Sequence, residues 1–231
     1  MTTKLEKNKT YFLPFNQGSN GAGEVGGKGN PHNTEGYPTA YLWEQVLHRN
    51  QLMDIIERFM NFEVKKDILI FPRYHQLDVV NKLVQDVAEH GSGKNYLIQH
   101  SAGSGKSNSI AWLAYHLASL HDRENNPIYS SIIIVTDRTI LDRQLQDTIT
   151  SFEHTTGQVE TIGDNKSSQD LKNAINDKKK IIITTLQKFP VIYQEVDTVE
   201  GRRFAIIVDE AHSSQTGSCL LYTSPSPRDG A

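Results

Sequence analysis

The sequence predicts an α/β fold: a parallel sheet covered by helices on both faces, preceded by a smaller, partial α+β region. Three observations carry this expectation. From Arg73 onward, short apolar runs rich in β-branched residues alternate with amphipathic stretches of helical period. A Gly/Ser loop ending in Lys106–Ser107 stands between one such run and a helical pattern. A later apolar run, "FAIIVDEAH", ends in adjacent carboxylates.

In chain order, "TKLEKNKTYFLPFNQ" is expected to give a short strand or two around Tyr11–Phe15. The glycine-rich stretch Gly18 to Pro38 has no apolar period and is read as a long loop. In "TAYLWEQVLHRNQLMDIIERFMNF", Leu42, Val46, Leu47, Met53, Ile56, Phe59 and Met60 recur at three-to-four spacing, which predicts an amphipathic helix or a bent pair. A short apolar run, "DILIF", closes this region at Pro72. Beyond it, Leu77, Val80, Leu83, Val84 and Val87 share one helical face that ends at Gly91. "YLIQH" is predicted as a buried strand and "KSNSIAWLAYHLASL" as a helix. "SIIIVTD" reads as a strand, "RTILDRQLQDTITSF" and "SQDLKNAIND" as helices, and "KIIITTL" and "RFAIIVDEAH" as strands.

Composition narrows the function classes. With 231 residues, 37% hydrophobic and 22% charged, the chain has the make-up of an ordinary globular protein. A net charge of -3 gives no global basic field, so any nucleic-acid contact must rest on local patches. The single cysteine, Cys219, excludes a disulfide framework and a cysteine-rich zinc site. No apolar run approaches the ~18–20 residues of a membrane span. The first residues lack the apolar core of a signal peptide, so a cytoplasmic protein without membrane contact is expected.

The chemistry centres on "HSAGSGKS". Gly103 and Gly105 allow the backbone to curl so that successive N–H groups of Ser101, Ala102, Gly103, Ser104 and Gly105 face phosphate oxygens. Lys106 would then reach the β- and γ-phosphates of ATP, and Ser107 would offer its hydroxyl to Mg²⁺. The usual loop opens with glycine five residues before its second glycine; here that place holds His100. The matching acids are Asp209, to hold Mg²⁺ through water, and Glu210, to polarise the attacking water. These groups are expected to converge on one triphosphate–magnesium pocket, which makes the fold that of a P-loop NTPase. Upstream, the Gln76 amide has the donor and acceptor to read adenine, and Arg73 could stack on the base. "EVK" at Glu63–Lys65 and "GAGEVG" at Gly21–Gly26 match nuclease and dinucleotide patterns by letters, without the surrounding elements those sites need.

With these residues in place the chain resembles superfamily 2 helicases and translocases, where a non-glycine often opens the loop. More narrowly, it resembles the R (restriction) subunit of type I restriction-modification enzymes. The stretches that carry the likeness are "FLPFNQGSNGAGE", "YPTAYLWEQVLHRNQLMDIIERF", "PRYHQ", "HSAGSGKS", "VTDRTILDRQL", "TTLQKF" and "VDEAH". The family's phosphate loop begins with histidine. The resemblance implies a RecA-like motor lobe that uses ATP to pull double-stranded DNA, with M and S subunits as partners and cleavage far from the recognition site. It implies phosphate contacts from Arg138, Arg143, Thr184, Thr185 and Lys188, and a coupling role for His212. Other readings stay open: another superfamily 2 helicase or remodeller, or a docking lobe that binds ATP without turnover.

The resemblance also implies boundaries. Residues 1–70 would be the end of the N-terminal nuclease region, without its nuclease core, and 71–217 most of the first motor lobe. The second lobe, with its arginine finger, would follow. Residues 218–231 fit none of this, and Cys219–Asp229 back-translates as a sequencing-library adapter. They are expected to be non-native.

Overall fold

The computed structural model describes residues 4–12, 14–18, 29–63, 67–100, 103–136, 139–153, 157–163, 166–188 and 201–209, with the side chains of 139–142 left aside. The chain forms two compact units. Met1–Ile128 and Thr148–His154 make the first, and Tyr129–Asp147 and Thr155–Ala231 the second.

In the first unit, the predicted amphipathic stretch is a π-helical turn over Leu42–Val46, a short helix α1 (Arg49–Asp54) and a second π-helical turn over Ile55–Phe59. The wider turns are closed by Leu47 N–H to Leu42 O at 2.7 Å and Met60 N–H to Ile55 O at 2.9 Å. Each shifts the helical phase, so the buried face carries Val46, Ile55 and Phe59. Leu47, Met53 and Ile56, expected inside, are half exposed. Around Tyr11–Phe15 the described residues form no strand; a 3₁₀ turn precedes them at Lys7–Lys9. The "DILIF" run gives β2 (Ile68–Ile70), antiparallel to β1 (Asn61–Glu63).

Helix α2 (Tyr74–His90) follows Pro72, buries Leu77, Val80 and Val87, and ends at Gly91 in a positive-φ conformation suited to glycine. Its first residue, Tyr74, packs edge-on against Phe15 and Tyr41, each at 5.6 Å between ring centroids. Helix α3 (Lys106–Ala118) is apolar nearly all round: Ala111, Trp112, Leu113, Ala114 and Leu117 are buried. The indole N–H of the fully buried Trp112 donates to Phe59 O at 2.9 Å. That bond satisfies a polar atom that burial would otherwise penalise. His116, one turn later, lies against Asp54 at 3.2 Å.

The second unit holds the sheet. Strands β3 (Ser131–Thr136), β4 (Val159–Ile162), β5 (Ile181–Thr185) and β6 (Phe204–Val208) are all parallel, in the order β4-β5-β3-β6. Ile132, Ile134, Ile181, Ile182 and Ile183 are fully buried, as a continuous β-branched run requires of a doubly covered strand. Helix α4 (Thr139–Ser151) follows β3, and α5 (Ser168–Asn176) precedes β5. Leu171, Ala174 and Ile175 of α5 pack on Ile133, Val135, Ile162 and Ile182. The start of α5 is fixed by Ser167, whose N–H donates to the Asp170 carboxylate at 2.6 Å. The observed fold is therefore the expected α/β arrangement around a parallel sheet. Among the described residues no helix is long and apolar enough to cross a membrane.

One expected strand is missing. Residues 96–100 join no ladder, and Leu97 is 89% exposed. An apolar run becomes a strand only by exchanging hydrogen bonds with a neighbour, and this one has none among the described residues.

Candidate functional site

The phosphate-loop sequence is built against the first turn of α2. Three side chains there reach three consecutive carbonyls of the loop. Arg73 Nη1 donates to Gly103 O at 3.5 Å. His75 Nε2 meets Ser104 O at 3.1 Å, and Gln76 Nε2 donates to the same oxygen at 3.3 Å and to Gly105 O at 2.9 Å. In a trans peptide the N–H points opposite to the carbonyl. Holding these carbonyls toward α2 turns the N–H groups of Ser104, Gly105 and Lys106 the other way, as an anion-binding loop needs. No cis peptide interrupts the pattern among the described residues.

The two glycines serve different needs. Gly103 (φ +73°) has open space where a Cβ would stand, so only its left-handed backbone calls for glycine. Gly105 (φ +83°) has that constraint and a second one: a Cβ would lie 2.5 Å from Gln76 Nε2. Lys106 and Ser107, both half-buried, open α3 directly after Gly105, so the positive end of the helix dipole adds to the lysine charge. The Ser104 hydroxyl is buried and makes no hydrogen bond among the described residues.

Gln76, expected to read adenine, makes its contacts within the protein. It is 3% exposed, its Oε1 accepts the Arg73 N–H at 2.8 Å, and its Nε2 is engaged by the loop. The amide oxygen thus caps the start of α2 while its nitrogen serves the loop. Arg73 is exposed on the same turn, with its guanidinium near the loop. His100 stands where glycine was expected, its ring edge-on to His75 at 5.2 Å and 89°. Burial, then the neighbouring His75 and Lys106, hold its titration below the ordinary histidine range. His75 was not singled out from the sequence. Its one signal is position, beside Gln76 in "RYHQ".

Asp209, Arg143, Thr184, Thr185 and Lys188 belong to the second unit. Asp209, half-buried, follows β6 directly, and its N–H donates to Val135 O at 2.9 Å. It therefore stands at the carboxyl end of a parallel strand, where ligands of such sheets bind. Arg143 is exposed on α4. Thr184 and Thr185 end β5 with side chains 1% and 2% exposed. The Lys188 amine donates to the carbonyls of Ile162 and Gly163, capping the end of β4. Ser101, Ala102, Arg138, Glu210 and His212 lie outside the described residues.

Residues 75–223 match the family described as SWI2/SNF2 ATPase. The HindI type I restriction enzyme endonuclease subunit of Haemophilus influenzae is 31% identical over 186 residues, 76% of this chain and 17% of that protein. The SauCOLORF180P endonuclease subunit of Staphylococcus aureus is 28% identical over 179 residues, 75% of this chain and 18% of that protein. The chain thus spans less than a fifth of the length of these relatives. The crystal structure of the UvsW helicase from bacteriophage T4 aligns with a TM-score of 0.46 at 21% identity, over 71% of this chain and 51% of that one. The resemblance to type I restriction subunits holds, and from the match to residues 75–223 the chain belongs to the SWI2/SNF2 ATPase family.

Proposed function

We propose that this chain is the ATP-hydrolysing lobe of a type I restriction motor, and that hydrolysis drives movement along double-stranded DNA. The observation that carries the reading is the loop itself. Carbonyls of Gly103, Ser104 and Gly105 are tied back to α2, their amides face outward, and Lys106 follows at the head of α3. Such a cradle suits a polyphosphate and has little other use.

Roles follow from donor chemistry. The loop amides and Lys106 would bind the β- and γ-phosphates. Ser107 and Asp209 have the hard oxygen donors for Mg²⁺, which neutralises phosphate charge when bound. Glu210 would orient the attacking water, and His212 would couple turnover to DNA. Arg73 would lie near the base, with Gln76 holding the loop in place. Exposed Arg143, with Arg138 and Lys188, would meet DNA phosphates, a contact independent of sequence and weakened by salt. Partner M and S subunits, implied by the type I resemblance, would supply methylation and sequence choice.

The test is ATP hydrolysis by the chain with and without duplex DNA, comparing the parent with Lys106→Ala. Loss of a charged donor to the transferring phosphoryl group should lower turnover by about 10²-fold. Equal rates would reject catalysis and leave a docking lobe. Stimulation by RNA but not by duplex DNA would instead favour a helicase of another kind.

A further inference from the structure

We propose that His75 and His100 form a clamp that positions the phosphate loop, a deepening that rests on the ATP-binding reading above. Ser104 O is an acceptor only, so the His75 nitrogen 3.1 Å away must carry the proton, which fixes the Nε2–H tautomer. That carbonyl has two lone pairs, and the Gln76 amide takes the other at 3.3 Å. A single oxygen is thus gripped by two donors from adjacent residues of one helical turn.

His100 explains how the His75 ring is kept in place. The two rings meet edge to face at 5.2 Å and 89°, a geometry that packs one imidazole against the other's plane. A glycine at position 100, as in the common loop, would leave that side of His75 open. Both rings line a groove of about 740 Å³ between α2 and residues 95–100. With no backing ring there, the side chain would be free to rotate away from the loop. The histidine that opens this loop therefore buttresses the residue that holds Ser104. Both residues are positioning groups, acting on nucleotide through the loop.

The experiment has two arms on the full chain. Imidazole nitrogen NMR of the parent protein, without nucleotide, should show His75 as the Nε2–H tautomer with its proton protected from exchange. Finding the proton on Nδ1 and none on Nε2 overturns the clamp whether or not ATP binds. Fluorescent ATP-analogue binding is then measured for His75→Phe, His75→Gln, His100→Gly and Lys106→Ala. His75→Phe keeps the ring but loses the donor and should bind about fivefold more weakly, the effect of one neutral hydrogen bond. His75→Gln restores an N–H at the same reach and should fall within about twofold of the parent. His100→Gly should weaken binding as His75→Phe does. Parent-like binding by His75→Phe and His100→Gly also overturns the clamp. If Lys106→Ala binds as the parent does, the ATP-site reading fails instead, and the tautomer alone decides the clamp.

Discussion

Replacing Gly105 by alanine is the sharpest test of how the loop is held. At φ 83° and ψ 37° the residue is left-handed, and a non-glycine there costs about 1–2 kcal/mol. The new Cβ would stand 2.5 Å from Gln76 Nε2, too close for the amide to stay. Its bonds to Ser104 O and Gly105 O would be lost, at about 1 kcal/mol each. Gly105→Ala should therefore destabilise the first unit by about 3–4 kcal/mol. Gly103→Ala, with nothing near its Cβ, should cost only the backbone part of about 1–2 kcal/mol. Urea unfolding followed by tryptophan fluorescence reads this directly, because fully buried Trp112 reports on the same unit. A double-mutant cycle completes the assay: Gln76→Ala, which removes three hydrogen bonds, should cost about 3 kcal/mol in the parent and about 1 kcal/mol in Gly105→Ala. If the two glycine variants were equally stable, or if the Gln76 effect were unchanged in both backgrounds, the account of the loop would be wrong.

Other expected outcomes follow from the same contacts. Trp112→Phe removes the indole N–H and leaves Phe59 O without that donor, so the unfolding midpoint should drop by an amount equivalent to about 1–3 kcal/mol. Asp86 accepts from Tyr96 Oη at 2.5 Å and from Lys94 at 3.0 Å, and these bonds hold its carboxyl below the ordinary range. Its contribution to stability is present above the ordinary carboxylate value and is lost as pH falls through the lowered one. A carbon-detected NMR titration should place its midpoint below that of an unperturbed aspartate, and a midpoint at or above it would contradict the contact.

The sheet was legible because its strands obey a simple rule. Ile132 to Val135 and Ile181 to Ile183 are covered on both faces, and double coverage leaves a continuous β-branched run in the sequence. Strand β4, "VETI", escaped notice because its residues are only partly covered until Ile162. The π-helical turns misled differently: a period of 3.6 placed Ile56 inside, and one wider turn put Ile55 there instead. "YLIQH" has strand composition, but pairing is a property of the neighbour, which composition does not contain. At the site, Lys106 and its glycines were legible because backbone curvature and charge are local. The contact of Gln76 with the loop was not, since an amide carries the same donor and acceptor for a base as for a backbone carbonyl.

The Trp112–Phe59 bond has a practical consequence for anyone shortening this chain. A version starting at Tyr74 would bare the indole to water, strip His116 of Asp54, and uncover the apolar flank of the helix that begins with Lys106. Such a piece should aggregate or melt early even though every nucleotide-binding letter is intact. The short upstream segment is the splint on which that helix is set.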